Sequence, residues 1–233
     1  MESASSLTAV LAGLPGVAAP QGPLRQKPKW RGVSHQVAAI LAAPAAMALW
    51  LGAGTPTARL GAAVYGLSLF ALFTISAIYH RPTWKPRARD LLGRMDQAAI
   101  FLLIAGTYTP FGLLLGASGH LLLMLIWAGA LGGVVLALLW PQAPKPLMAG
   151  IYVLFGWTFL ALIPSLLRAA GPAVLSLVIL GALAYTVGAV IYALRRPDPL
   201  PRIFGYHEIF HLLVIVAAGC HFAAIALALP ALG

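Results

Sequence analysis

A polytopic α-helical membrane bundle of seven spans is predicted by three features of this 233-residue chain. Charge is scarce, apolar runs are long, and the basic residues gather on alternate connections. Hydrophobic side chains make up 61% of the sequence and charged ones 9%, whereas soluble domains carry about 25% charged residues. Lipid-facing surface accounts for the deficit, because hydrocarbon penalises charge and favours Leu, Ile, Val and Ala. At this length one helical bundle is expected, without a second folded domain. The formal net charge of +10 would suggest nucleic acid in a soluble protein. Here the cations sit in short clusters between apolar runs, so a membrane surface replaces nucleic acid as the expected partner. Cys220 is the sole cysteine, which excludes an intramolecular disulfide.

The elements follow in chain order. Residues 1–30 are expected to form a flexible cytoplasmic tail. The stretch from Thr8 to Ala19 is mildly apolar, but Glu2 precedes it and no basic group does, unlike a signal peptide. Residues 31–233 are expected to form the transmembrane domain. Seven stretches approach the roughly 20 apolar residues that cross a hydrocarbon layer of about 30 Å: 34–51, 60–79, 96–115, 120–140, 147–163, 172–194 and 207–229. Their connections are short and rich in Pro, Gly and basic residues, which favours antiparallel neighbours. Within the third stretch, Gly106-Thr107-Tyr108-Thr109-Pro110 predicts an interruption or bend, with hydroxyls serving freed carbonyls.

Basic residues orient the bundle. Thirteen of the fifteen Lys and Arg lie before the first stretch or after the second, fourth and sixth; the opposite side has only Arg59 and Arg168. The positive-inside bias places the N-terminus in the cytoplasm and the C-terminus outside. With seven spans, the end of helix 2 and the starts of helices 3 and 7 share that cytoplasmic depth. Those ends carry Ser76 and His80, Asp96, and His207 and His211. An ionisable group within a span is costly, and several at one depth point to a site.

His207 and His211 are four residues apart, hence about 40° around a helix and about 6 Å along it. Two such imidazoles, joined by His80, offer three nitrogens and an open fourth position, the arrangement of catalytic zinc. Asp96 can orient an imidazole or take a proton from water, and Ser76, one turn deeper than His80, can bond the water or a substrate carbonyl. Blander roles compete for the same residues: interfacial solvation of the His pair, Asp96 capping a helix, and Ser76 bonding back to Leu72. His207-Glu208-Ile209-Phe210-His211 also spells the string of zinc peptidases, so an intramembrane peptidase is a further alternative. His221 lies about 15 Å deeper and is expected to bond a neighbouring helix; His35 is a weaker candidate beside the site.

Five segments in one order resemble the hemolysin III family, the bacterial branch of the progestin and adipoQ receptor superfamily. They are Arg31-Gly32-Val33-Ser34-His35-Gln36, Ser76-Ala77-Ile78-Tyr79-His80, Met95-Asp96-Gln97-Ala98-Ala99-Ile100-Phe101, Ala105-Gly106-Thr107-Tyr108-Thr109-Pro110-Phe111 and Gly205-Tyr206-His207-Glu208-Ile209-Phe210-His211. The resemblance implies an inner-membrane protein with zinc held near the cytoplasmic face by His80, His207 and His211, with Asp96 and Ser76 beside it. Gln97 departs from the His that bacterial members often carry, outside the ligand set. By the same resemblance, the expected activity is zinc-dependent hydrolysis of a membrane-lipid amide or ester, ceramide-like, with an acyl chain in the bilayer. Pore-forming cytolysis and a membrane-homeostasis receptor with structural zinc are the alternatives.

Overall fold

The computed structural model describes residues 27–232; residues 1–26 of the expected tail lie outside them. Among the described residues seven α-helices follow in order: α1 (Val33–Gly52), α2 (Pro56–His80), α3 (Pro86–Leu114), α4 (Gly116–Leu139), α5 (Lys145–Trp157), α6 (Ile163–Leu194) and α7 (Tyr206–Ala228). Short 3-10 turns cover Thr158–Leu162 and Leu229–Leu232. Among the described residues six helical stretches are long and apolar enough to cross a membrane, and one of these, Lys145–Leu194, runs for 50 residues through α5, the 3-10 turn and α6.

That long stretch departs from the expected separation of spans at 163 and 172. Pro164 sits in the first turn of α6, where its missing N–H costs nothing, so helix begins at Ile163. The break comes instead at Gly171, whose φ of 82° and ψ of 175° leave the helical region, directly before Pro172. Leu166, between the two, is 1% exposed and turns back into the core.

Helix α3 also begins ten residues before the expected start at 96. Pro86 supplies a favourable first position, and the basic segment behind it winds into helix although it is too polar to lie in hydrocarbon. Asp96 is therefore well inside α3 and does not cap it. Pro110 fails to end the helix, which continues to Leu114. Thr107 and Thr109 donate their hydroxyls to the Leu103 and Ala105 carbonyls at 2.8 and 2.9 Å.

Sequential helices pack side by side from α1 to α4 and again from α5 to α7, and α7 closes the bundle against α1 and α3. Large apolar side chains face outward, Leu67 and Leu154 being 69% and 74% exposed. The interior is filled with small residues, including Ala58, Ala62, Ala105 and Ala224, none of which has any exposed surface. Small residues let backbones approach closely, which is how helices gain packing energy where lipid offers no hydrophobic drive. At Gly66 the approach to α1 is such that a Cβ would stand 2.6 Å from the Ala46 Cβ. Tyr65, buried, donates to the Ala218 carbonyl at 3.0 Å and ties α2 to α7.

Before α1, residues Lys27–Gly32 cross the basic end of the bundle. Lys29 and Trp30 donate backbone N–H groups to the carbonyls of Arg202 and Ile203, each at 3.1 Å. The Lys27 ammonium donates to the Arg81 carbonyl at 2.7 Å. Desolvation lowers the Lys27 pKa from its ordinary value, and the neighbouring cations Arg81, Arg31 and Arg89 add to the effect. This strap joins the end of α2 to the loop before α7.

Candidate metal centre

Helix-terminal chemistry fixes the imidazoles. Helix α2 starts on Thr55, whose hydroxyl accepts from the Ala58 N–H at 3.2 Å, with Pro56 following. It ends at His80, before Arg81-Pro82. Helix α7 starts at Tyr206, whose N–H donates to Asp198 Oδ1 at 3.1 Å. Glu208 reaches back to accept the Gly205 N–H at 2.8 Å, the Glu half of a capping box, since Gly205 has no side chain to supply the other bond. His207 and His211 thereby occupy the first two turns of a fixed helix.

His80, His207 and His211 are all buried, and one ligand atom from each lies within 4.8 Å of the others. The Nε2 atoms of His80 and His207 are 3.2 Å apart. Two nitrogens bound at about 2.0–2.1 Å to one tetrahedral zinc stand about 3.4 Å apart. The Nδ1 atoms of His207 and His211 are buried without a hydrogen-bond partner. Three imidazoles converging in a buried place suit a borderline-soft divalent cation. The residues fit such an ion.

Asp96 reaches the same place from α3, its Oδ2 lying 3.5 Å from His80 Nε2. Ser76 Oγ does not bond back to Leu72; it pairs with His35 Nδ1 at 2.8 Å. The His35 ring stacks on His211, with centroids 3.8 Å apart and planes 7° from parallel. His35 thus stands closer to the centre than sequence reasoning placed it. Its signal was its position near the start of α1, at the same expected depth as the other five residues.

Glu208 sits apart from this constellation. Its Oε1 pairs with Arg31 Nε and its Oε2 holds the Gly205 N–H, so both oxygens of a carboxylate only 3% exposed are engaged. That geometry gives the His-Glu-x-x-His string a structural use of its acid: it fastens the strap to α7. His221 Nε2 donates to the Val178 carbonyl at 3.2 Å; the carbonyl only accepts, so Nε2 carries the proton. This is the expected bond to a neighbouring helix.

Gly32 lies in the first of the five motifs. Its φ of 77° lies in the left-handed region, and a Cβ there would stand 2.7 Å from the His80 Cβ. Only glycine lets the strap pass this close behind a metal-ligand candidate.

Beside the imidazoles opens a cavity of about 490 Å³, lined mainly by apolar side chains of α3, α5, α6 and α7. His35, Ser76, Asp96, His207 and His211 line its polar end, and Leu166, Val178 and His221 lie among its other walls. Tyr108 lines it too, with its hydroxyl 2.7 Å from the Gly156 carbonyl and 2.9 Å from Thr158 Oγ1. A polar, metal-competent end joined to an apolar chamber suits an amphiphile.

Comparison with known proteins finds matches along most of the chain. The model of the family described as "Haemolysin-III related" matches residues 24–222. The chain is 31% identical over 195 residues to the hemolysin-3 homolog of Bacillus subtilis, covering 82% of this chain and 88% of that one. It is 34% identical over 188 residues to hemolysin-3 of Bacillus cereus, covering 78% and 83%. To the human monocyte to macrophage differentiation factor it is 28% identical over 173 residues, covering 72% and 69%.

Proposed function

Because this chain belongs to the haemolysin III-related family of multi-pass membrane proteins, we propose that it is a zinc-dependent hydrolase acting on an amide or ester of a membrane lipid. The single observation that carries this reading is the triad of buried imidazoles, His80, His207 and His211, set against an apolar cavity. We read the 50-residue stretch as two crossings that reverse near Gly171, because one crossing needs only about 20 residues. Seven crossings put the basic end of the bundle in the cytoplasm.

Held by the three imidazoles, zinc supplies a Lewis acid that lowers the pKa of water towards about 7 and polarises a carbonyl. The chain provides the rest. Asp96 Oδ2 accepts the proton from the attacking water and returns it to the departing nitrogen or oxygen. With its proton on Nδ1, His35 donates to Ser76 Oγ and leaves the serine hydroxyl free to bond the carbonyl under attack. Apolar walls of the cavity take the acyl chain and exclude bulk water from the reacting linkage. The engagement of both Glu208 oxygens disfavours the peptidase alternative, which needs that carboxylate as its base.

The test uses purified protein in detergent, with metal content by mass spectrometry and turnover of fluorescent ceramide and phospholipid analogues. Stoichiometric zinc, and turnover lost with chelator and in Asp96→Ala, is the expected result. Absence of metal from wild-type protein removes the proposal. Bound zinc without turnover, and earlier melting on chelation, would assign the ion a structural, receptor-type role. The printed name of the Bacillus cereus relative keeps lysis as a second reading; dye leakage from liposomes that is insensitive to His80→Ala would favour it.

A further inference from the structure

Two cations at the mouth of the cavity have no role in the reading above. Lys145 is the first residue of α5, and Arg195 follows the last residue of α6. Both line the cavity, together with Gln142 and Pro144 of the preceding loop. They come from different elements, and both are solvent-accessible residues of the one cavity wall.

The other basic groups near this end are either engaged or turned elsewhere. Arg31 is paired with Glu208, Arg81 Nε donates to Gln36 Oε1 at 2.9 Å, and Lys27 holds backbone carbonyls. Arg94 donates to the Leu138 carbonyl. Arg87 and Arg89 are exposed on the first turns of α3 and do not line the cavity. Lys145 and Arg195 form no ion pair with a carboxylate among the described residues. The one acid in the cavity wall, Asp96, is drawn to His80. The opening is therefore positive over an apolar chamber.

Tyr192 links this opening to the metal centre. The Lys145 ammonium sits 4.8 Å from the centroid of its ring, and the same ring lies 5.6 Å, centroid to centroid, from His207. A headgroup held by Lys145 is one aromatic ring away from a metal-ligand candidate.

Resting on the lipid-hydrolase reading, we infer that Lys145 and Arg195 form a subsite for the anionic phosphate headgroup of a membrane lipid. The cavity then takes an acyl chain, and the linkage between chain and headgroup falls beside His207. A zwitterionic headgroup brings its own cation to the opening and loses part of this attraction; an anionic one does not. For a phospholipid the reaction adds water across the acyl ester. The C–O bond to the glycerol oxygen breaks, the carbonyl carbon gains the water oxygen, and the glycerol oxygen gains a proton, leaving a fatty acid and a lysophospholipid.

Native mass spectrometry of the full chain, offered equimolar phosphatidylglycerol and phosphatidylcholine of matched acyl chains, tests this. Zinc-stripped protein is used, so lipid is counted before any turnover. A basic residue near a headgroup contributes about fivefold in occupancy. Wild type is expected to favour phosphatidylglycerol by at least tenfold, with Lys145→Gln and Arg195→Gln each losing about fivefold and the pair losing the preference. Lys145→Arg with Arg195→Lys keeps it, and so does Arg87→Gln with Arg89→Gln. Selectivity that survives loss of both cations overturns the subsite, as does equal loss in the Arg87/Arg89 control. Competition by glycerol phosphate in solution, as strong as by the lipid itself, overturns the lipid assignment. Charge-selective binding with no hydrolysis after zinc is restored would sink the hydrolase reading and leave the subsite standing.

Discussion

Replacing Gly32 with alanine is expected to damage the metal centre without touching any polar atom in it. Two costs can be worked from the structure. Gly32 holds φ at 77°, and an L-residue there costs about 1–2 kcal/mol. The added Cβ would also stand 2.7 Å from the His80 Cβ and 3.3 Å from the His80 carbonyl carbon. Neither atom belongs to the free end of a flexible side chain, so the end of α2 must move. Overpacking of this kind costs about 1–3 kcal/mol, and together the two terms predict a loss of about 2–5 kcal/mol in stability. A ligand displaced by its support typically loses about 10–100-fold in metal affinity. Thermal unfolding followed by tryptophan fluorescence, and zinc competition against a chelator of known affinity, read the two effects separately. Gly54→Ala is the control, since a Cβ there meets nothing within 4 Å. A Gly32→Ala protein that melts with wild type and holds zinc as tightly refutes the argument that this glycine sets the position of His80.

Three further outcomes are expected. Glu208→Gln removes the partner of Arg31 and lowers stability by about 1–3 kcal/mol, measured by thermal melting, while zinc stoichiometry stays unchanged; wild-type melting with turnover abolished would restore a catalytic role to this acid. His35→Phe keeps a ring against His211 but frees Ser76, so turnover of the lipid analogue falls about 10–100-fold with metal retained, and unchanged turnover would remove Ser76 and His35 from the proposed chemistry. Gly66→Ala forces α1 and α2 apart at Ala46 and costs about 1–3 kcal/mol in unfolding free energy, with zinc affinity the same as wild type; a neutral melting temperature would show that the two helices do not pack as closely as described.

Periodicity, hydropathy and charge placement were legible in the chain because lipid imposes one strict rule. Every backbone group must be satisfied within its own segment, so long apolar runs become helices. The ends of α2 and α7, on which the site depends, fall within a residue of the expected limits. Errors came where polarity and helix propensity disagree. The basic residues 86–95 read as a loop, because they cannot lie in hydrocarbon, yet nothing prevents them from continuing α3 into water. The break between the fifth and sixth stretches was expected to occupy residues 164–171, whereas the helix leaves its own geometry at one glycine of positive φ, Gly171.

By itself, the sequence singled out His80, Asp96, His207 and His211 as residues of one expected depth on the basic side, because helix counting alone aligns them, although Asp96 stands inside α3 and only the imidazoles lie near helix ends. Depth is a one-dimensional quantity, set by residue number and helical rise. Rotation about each helix axis and the choice of neighbours are decided by packing between helices, and these only the tertiary structure fixed. It turned Ser76 towards His35 and away from its own carbonyls, and stacked His35 on His211. It committed Glu208 to Arg31, 177 positions earlier in the chain, and it brought Lys145 and Arg195 to the wall of one cavity. Contacts between segments so far apart carry no local periodicity, so they become visible only when the small residues of the core let the helices close on one another.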